Sequence, residues 1–190
     1  MTALTMPPLL DALRRHELSR IELAHHEASH AVAGVLHGGV LASVTITESR
    51  VKRGLVALPS GSTSFSTLPS VRHAEVAFAG CWGQVRGRTG RRPGSHEVAA
   101  VLGSTGCKDA AVLTAAGGPD AGESVIPLME RVWPSVAELA AKLHRTGKVS
   151  HSDVLAALRL SEDAGVRTIE LSMIRSGAAP GSFSVSRPAH

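Results

Sequence analysis

Apolar residues recur at helical spacing near the start of the chain. The pattern runs from Ile21 to Val35 and predicts an amphipathic helix with one buried face. A Ser-Arg-Ile-Glu sequence that starts at Ser19 has the form of a capping box, so the helix is expected to begin there. The glycine pair at Gly38 is expected to end it. Residues 1–18 are expected to form an N-terminal arm or a short leader helix.

A small sheet is expected beside this helix. Residues 40–47 (VLASVTIT) are apolar and β-branched, which is typical of a strand. After a charged turn, residues 54–58 form a second strand candidate. Residues 59–66 are rich in Ser, Gly and Thr, and this composition predicts a loop.

The rest of the chain shows helical patterns separated by Gly- and Pro-rich breaks. Helices are expected over residues 70–86, 96–102, about 104–116, 120–147 with interruptions at Pro127 and Pro134, and 152–160. We interpret residues 19–160 as one domain and residues 161–190 as a C-terminal tail that is disordered after about residue 176. The predicted class is mainly α with a small β-sheet (α+β).

The composition fits a globular protein and indicates the cellular compartment in which it would fold. Apolar residues make up 43% of the 190 positions, which is enough for one buried core. Two cysteines are too few for a disulfide framework and favour a reduced, cytoplasmic protein. The N-terminus lacks the features of a signal peptide, and no apolar stretch reaches the roughly 18 residues that a membrane span needs.

Arginine carries most of the formal net charge of +4, and four arginines cluster between Arg86 and Arg92. Such a cluster could contact phosphates or an acidic partner. We favour a solvated loop instead, because no aromatic side chains interleave with the arginines to stack on bases. Nucleic acid is therefore not an expected partner.

One short motif within the first predicted helix carries chemistry. His26-Glu27-Ala28-Ser29-His30 has the form HExxH. Residues four apart lie about 40° apart around a helix and about 6 Å apart along it, so His26 and His30 could bind one Zn²⁺ from the same face. Glu27 lies about 100° from His26, where its carboxylate can take a proton from a metal-bound water and act as general base.

A catalytic zinc needs a third protein ligand and one open position. His37 nearly fits a longer histidine motif, but it lies about 16 Å from His26 along a continuous helix, which is too far to share a metal. A glutamate on a following helix is the usual alternative, which nominates Glu75 or Glu97. The weaker candidates, expected to lie on the surface, are His25, His73 and His96.

Four segments of the chain together resemble the peptidase domain of the FtsH family of zinc metallopeptidases. LAHHEASHAVAGVLHGGVLASVTIT is similar to the zinc helix and the strand after it, and AEVAFAGCWGQVRG is similar to the second helix. GSTGCKDAAVLTAA resembles the segment whose Asp is the third zinc ligand, which implies that role for Asp109. WPSVAELAAKLHRTGKVSHSDVLAAL resembles the last helices of the domain.

The resemblance covers roughly residues 19–160 and implies a helical zinc-peptidase fold, peptide-bond hydrolysis and possible homo-oligomers. Ser29 stands where the family usually has Gly, and Gln84 stands where an acidic residue is common. FtsH-type enzymes use ATP to unfold their substrates, but this chain has no GxxxxGK(S/T) motif. We therefore expect it to work without ATP.

These observations predict a zinc-dependent, ATP-independent endopeptidase that cleaves flexible or unfolded polypeptides. His26, His30 and Asp109 would bind Zn²⁺, and Glu27 would be the catalytic base. The 40–47 strand is expected to hold the peptide by β-augmentation. Three alternatives remain open: a catalytically silent zincin-fold binding module, a regulatory peptidase that cleaves a specific repressor, and a hydrolase of a non-peptide amide.

Overall fold

A computed structural model describes residues 6–48 and 59–183 of the chain. The protein is mainly helical, as predicted, and carries a three-stranded antiparallel sheet. The α-helices are α1 (Met6–Leu36), α2 (His73–Thr89), α3 (Ser95–Leu102), α4 (Cys107–Ala115), α5 (Ile126–Arg131), α6 (Trp133–Thr146), α7 (His151–Ala157) and α8 (Ala164–Ser176). The strands are β1 (Val40–Glu48), β2 (Pro59–Thr67) and β3 (Lys148–Val149), and short 3₁₀ helices cover Ser70–Arg72 and Pro119–Val125. Within the described ranges, no helix combines the length and apolar character needed to cross a membrane.

The first helix is longer than the sequence pattern predicted. α1 begins at Met6, so the predicted start at Ser19 is wrong, and the leader segment continues directly into the helix that carries HExxH. Prolines are tolerated in a first helical turn, and residues 9–18 contain no Gly or Pro that would break the helix. Leu10 and Leu13 are 58% and 52% exposed, so this extension adds little to the core.

The predicted helices between α2 and α7 are confirmed, with shifts of a few residues at their ends. Pro127 and Pro134 do interrupt the long pattern, because each stands in the first turn of a new helix, α5 and α6 respectively. The missing N–H of proline costs little at that position. α6 packs against α1 and buries Val136, Leu139 and Leu143.

β1 is the central strand of the sheet, which has the order β2-β1-β3. The predicted strand at 40–47 is therefore confirmed. It pairs antiparallel with β2 along its length and with β3 at Val44 and Thr45. The expectation that a peptide would dock on this strand is contradicted along the edge that β2 occupies and, on the other edge, at Val44 and Thr45, where β3 pairs.

β2 lies where a loop was predicted, so that prediction is wrong. The strand candidate at 54–58 falls outside the described residues. Gly61, Thr63 and Phe65 are half-buried and alternate with exposed serines. Phe65 packs onto Gly34 of α1, where any Cβ would overlap its ring. The strand forms despite weak intrinsic propensity because it pairs with β1 and covers one side of α1.

Glycines on α2 allow it to pack closely against the HExxH segment of α1. Gly80 lies against the imidazole of His30, and Gly83 lies against Ser29. A Cβ at either glycine would overlap the facing side chain. Trp82, between the two glycines, is completely buried. The backbone of α2 therefore packs directly against His30 and Ser29.

The segment interpreted as a C-terminal tail contains a helix that is packed on the core. α8 begins after Asp163, whose carboxylate caps the first turn. Ile174 is fully buried, and Arg175 donates a hydrogen bond to a backbone carbonyl at the end of α1. Residues 184–190, the end of the predicted disordered segment, fall outside the described residues.

Candidate metal centre

The two histidines of HExxH lie on the buried face of α1, one turn apart. Their Nε2 atoms are 2.9 Å from each other, and the imidazole rings meet edge to face. His26 and His30 are only 8% and 9% exposed. The helix therefore presents two ring nitrogens at one point, as the spacing predicted.

Asp109 completes the group from a different helix. It lies in the first turn of α4, with one carboxylate oxygen 3.2 Å from His26 Nε2 and the other 3.4 Å from His30 Nε2. The three ligand atoms all lie within 4.8 Å of one another, so the group could hold a metal ion. The structure thus brings together the three residues that were expected as metal ligands.

Hydrogen bonding fixes the orientation of His30. Its Nδ1 donates to the carbonyl of Val76 on α2 at 2.8 Å, so Nε2 is the nitrogen that faces Asp109. Metal-binding histidines usually make a second bond of this kind, which sets the tautomer and the ring orientation. His26 Nδ1 is buried, and no residue of the described ranges forms a hydrogen bond with it.

The charges around the group favour a bound cation. Burial lowers the pKa of His30, but the hydrogen bond to Asp109 and the negative charges of Asp109 and Glu27 outweigh burial and raise it to about 9. Burial raises the pKa of Asp109, but its contacts with His26 and His30 outweigh burial and hold it well below its usual range. The converging electron-pair donors therefore need a positive charge, either a proton on His30 or a metal ion.

The carboxylate of Glu27 is held between α1 and β2. Its Oε2 accepts a hydrogen bond of 2.6 Å from the Thr63 hydroxyl, which also contacts the Glu27 carbonyl oxygen at 3.2 Å. Gly61 lies against Oε1, and a Cβ there would overlap the carboxylate. The strand that was predicted as a loop therefore positions the residue expected to be the base.

The other candidate third ligands lie outside this group. Glu75 binds Arg72 at 2.8 Å, and His37 Nε2 lies 3.5 Å from the same glutamate. Glu97 binds the guanidinium of Arg91 through both carboxylate oxygens. The nomination of Glu75 or Glu97 is therefore wrong, because arginines already hold both carboxylates. The histidines that also lie outside the group are His25, His73 and His96.

The arginine cluster at the end of α2 is largely neutralised by glutamates. Three of its four arginines pair with a glutamate at distances of 2.9–3.8 Å. The guanidinium of Arg86 also lies over the ring of Trp133, 5.0 Å from its centroid. These ion pairs hold three of the arginine side chains against the protein itself. They leave little unpaired positive charge in the cluster for an acidic partner.

Three residues near the site were missed by sequence reasoning: Gly61, Thr63 and Cys81. The first two belong to β2, and only its pairing with β1 brings them to Glu27. The Cys81 thiol donates to Asp109 Oδ2 with a distance of 3.5 Å. Burial and the negative charge of Asp109 both raise the pKa of this thiol. No short spacing rule connects these residues to HExxH.

Neither a known family model, nor a curated protein, nor a solved structure matches this chain. What the chain can do therefore follows from the geometry of its own residues. That geometry consists of a buried group of two histidines and one aspartate, with a carboxylate anchored on the neighbouring strand.

Proposed function

We propose that the protein is a zinc-dependent, ATP-independent endopeptidase that hydrolyses flexible or unfolded polypeptides. The observation that carries this proposal is the convergence of the ligand atoms of His26, His30 and Asp109 within 4.8 Å of one another, with Glu27 directly after His26 on α1. Two imidazole nitrogens and one carboxylate form a ligand set that suits a catalytic zinc, which keeps one position open.

His26, His30 and Asp109 would hold the Zn²⁺, which when bound lowers the pKa of a coordinated water to about 7 and polarises a carbonyl group. The donor set fits this ion, because Nδ1 of His30 makes the hydrogen bond to Val76, Nε2 faces Asp109, and a negative charge stands beside both rings. The same nitrogen and oxygen ligands disfavour ions that prefer all-oxygen sites, such as Mg²⁺ and Ca²⁺.

Glu27 is the residue that would move the proton. Thr63 occupies Oε2, which leaves Oε1 to accept a proton from the attacking water and to pass it later to the leaving amine. Gly61 provides the space for that oxygen, because it has no side chain. Thr63 and Gly61 therefore limit the positions that the carboxylate can adopt.

Among the described strands, β2 stands at the edge of the sheet and touches Glu27. An extended polypeptide that added to this edge would run past the proposed base, with its backbone hydrogen-bonded to the strand. This arrangement favours flexible or unfolded chains as substrates, because only they can supply an extended backbone. The resemblance to FtsH peptidase domains supports the same reaction, since it nominated Asp109 independently of the geometry.

Replacement of Glu27 by Gln tests the reaction. Glu27→Gln should lower cleavage of a fluorescently labelled unfolded protein by at least about 100-fold, because general acid–base catalysis contributes factors of this size. Zinc content should stay at the wild-type level, since Glu27 is not a ligand. The matched control is Glu162→Gln, which changes an exposed glutamate in the segment before α8 and should leave cleavage unchanged. A fully active Glu27→Gln protein would refute the proposed mechanism.

A second candidate, a zincin-fold binding module without catalysis, is favoured by one observation. His26, Glu27 and His30 are each less than 10% exposed, so a substrate has little access to the group unless β2 or a neighbouring element shifts. Wild-type protein with one zinc per chain that cleaves no unfolded substrate would favour this module over the peptidase.

A further inference from the structure

The Cys81 thiol has one polar contact that bears on the metal group. Cys81 lies in the middle of α2, is completely buried, and has its sulfur 3.5 Å from Asp109 Oδ2. A carboxylate offers only acceptors, so the hydrogen in this contact belongs to the thiol. Cys81 therefore donates to the one ligand that does not come from the HExxH helix.

The backbone before α4 shapes the space around this thiol. Gly106 is the residue that precedes α4, and a Cβ at this position would lie 2.6 Å from the sulfur. Its φ of −89° is available to any residue, so what requires glycine here is the close approach of the thiol. Glycine at position 106 therefore leaves room for the thiol that contacts Asp109.

Cys81 lies behind the aspartate and not among the candidate ligands. The atoms that converge within 4.8 Å of one another come from His26, His30 and Asp109, and the cysteine sulfur is not one of them. We propose that Cys81 is a positioning residue: its thiol holds one oxygen of Asp109 so that the carboxylate faces the two histidines. This inference rests on the proposed metal site but not on the proposed peptidase activity.

The hydrogen bond should act on metal affinity. α1 orients the histidines, and the Val76 carbonyl fixes His30, but Asp109 comes from the first turn of a short helix and needs its own support. Loss of an outer hydrogen bond to a metal ligand typically costs a factor of 10 to 100 in metal affinity. The same range is expected for removal of the Cys81 donor.

The test compares zinc affinity in three variants of the full chain by competition with a chromophoric chelator. Cys81→Ala should bind Zn²⁺ about 10- to 100-fold more weakly than wild type, and Cys81→Ser should recover part of the loss because it keeps a donor. Cys107→Ala is the matched control, because Cys107 is exposed and lies outside the metal group. Its affinity should equal that of wild type.

A merely structural role would give a different result. In that case Cys81→Ala would lower the melting temperature of the zinc-free protein and leave the zinc affinity unchanged, which would overturn the proposal. Failure of the wild type to bind zinc would overturn both this proposal and the ligand assignment. Weaker zinc binding by Cys81→Ala in a protein that cleaves nothing would support the positioning role while refuting the peptidase.

Substitution of Co²⁺ for zinc separates an outer residue from a ligand. A thiolate bound to Co²⁺ gives an intense sulfur-to-cobalt charge-transfer band in the near ultraviolet, whereas nitrogen and oxygen ligands give none. The wild-type Co²⁺ protein should lack this band. A band that is present in wild type and absent in Cys81→Ser would show that Cys81 binds the metal directly, and would overturn the positioning role.

Discussion

At each end of the α1–α2 interface a histidine, within α1 or directly after it, meets a carboxylate, but only the first end groups three residues that could hold a metal ion. At the first end, His30 and its neighbour His26 meet Asp109, and all three ligand atoms lie within 4.8 Å. At the second end, seven residues or about 10 Å further along α1, His37 lies 3.5 Å from Glu75. Both ends combine imidazole with a carboxylate, but the first end has two histidines, and the carboxylate at the second end is paired with an arginine.

An arginine and a serine already satisfy the carboxylate at the second end. Glu75 accepts hydrogen bonds from Arg72 and Ser124, each at 2.8 Å. Burial lowers the pKa of His37, the charge of Glu75 opposes this effect, and Arg72 and Arg175 lower the pKa further. At the first end the pKa of His30 is raised to about 9 instead. The comparison teaches that Glu75, which is already paired with an arginine, is less available to a metal ion than Asp109, whose carboxylate faces two histidines.

The two ends should differ most in how much zinc affinity is lost when the carboxylate of each is removed. Asp109→Ala should weaken zinc binding by more than about 100-fold, because a lost ligand costs more than a lost outer partner. Glu75→Ala should leave zinc affinity within about threefold of wild type, since its carboxylate contributes no ligand. Chelator competition measures both. Equal losses in the two variants would show that the two ends are not distinct.

The close approach of α2 to His30 provides the next test. Gly80→Ala would place a Cβ inside the volume of the His30 ring, so the ring must move. We expect a loss of about 1–3 kcal/mol in the free energy of unfolding from overpacking, together with weaker zinc binding. The control is Gly103→Ala, where the nearest atom would lie at an ordinary 3.5 Å. Denaturant titration and chelator competition check both, and wild-type zinc affinity in Gly80→Ala would contradict the packing described here.

The smallest expected effect concerns pH at the second end. The pKa of His37 is lowered in the folded chain, so below about pH 6.5 the unfolded chain binds a proton that the folded chain does not. Stability should therefore fall as the pH drops below this value, and His37→Gln should remove that part of the fall. The lowered pKa of Glu75 matters only below about pH 4.3, which is a separate window.

Melting temperatures of the two metal-free proteins at pH 7.5 and pH 5.5 check this prediction. Wild type should lose more than His37→Gln between the two conditions. An identical loss in both proteins would mean that His37 titrates normally in the fold, against the description of this end as a buried, cation-flanked pair.

The sequence alone was sufficient for the part of the site that lies on one helix. HExxH fixes the relative positions of His26, Glu27 and His30, because helix geometry is local and regular. Asp109 lies far along the chain, so no spacing rule could select it over Glu75 or Glu97, and only the family resemblance nominated it. Those two glutamates failed as candidates because each binds a nearby arginine, three residues away for Glu75 and six residues away for Glu97.

The missed elements depend on contacts between distant segments. β2 is rich in Ser and Gly, and it becomes a strand through its pairing with β1 and the packing of Phe65 on Gly34. α8 lies in the segment interpreted as a C-terminal tail, before the part after about residue 176 that was expected to be disordered. Its burial of Ile174 is a tertiary contact that the tail composition does not indicate. The apolar pattern predicted the part of α1 that carries HExxH. The helix begins earlier, at Met6, because the first turn of a helix tolerates prolines.

X-ray absorption at the zinc edge tests the central claim most directly. The full chain, loaded with one equivalent of Zn²⁺ and then desalted, should retain about one zinc with nitrogen and oxygen ligands only, near 2.0–2.1 Å. Two of the scatterers should show the outer-ring signature of imidazole, from His26 and His30. A protein that loses its zinc on desalting, or a spectrum that requires a sulfur ligand near 2.3 Å, would contradict the His26, His30 and Asp109 site.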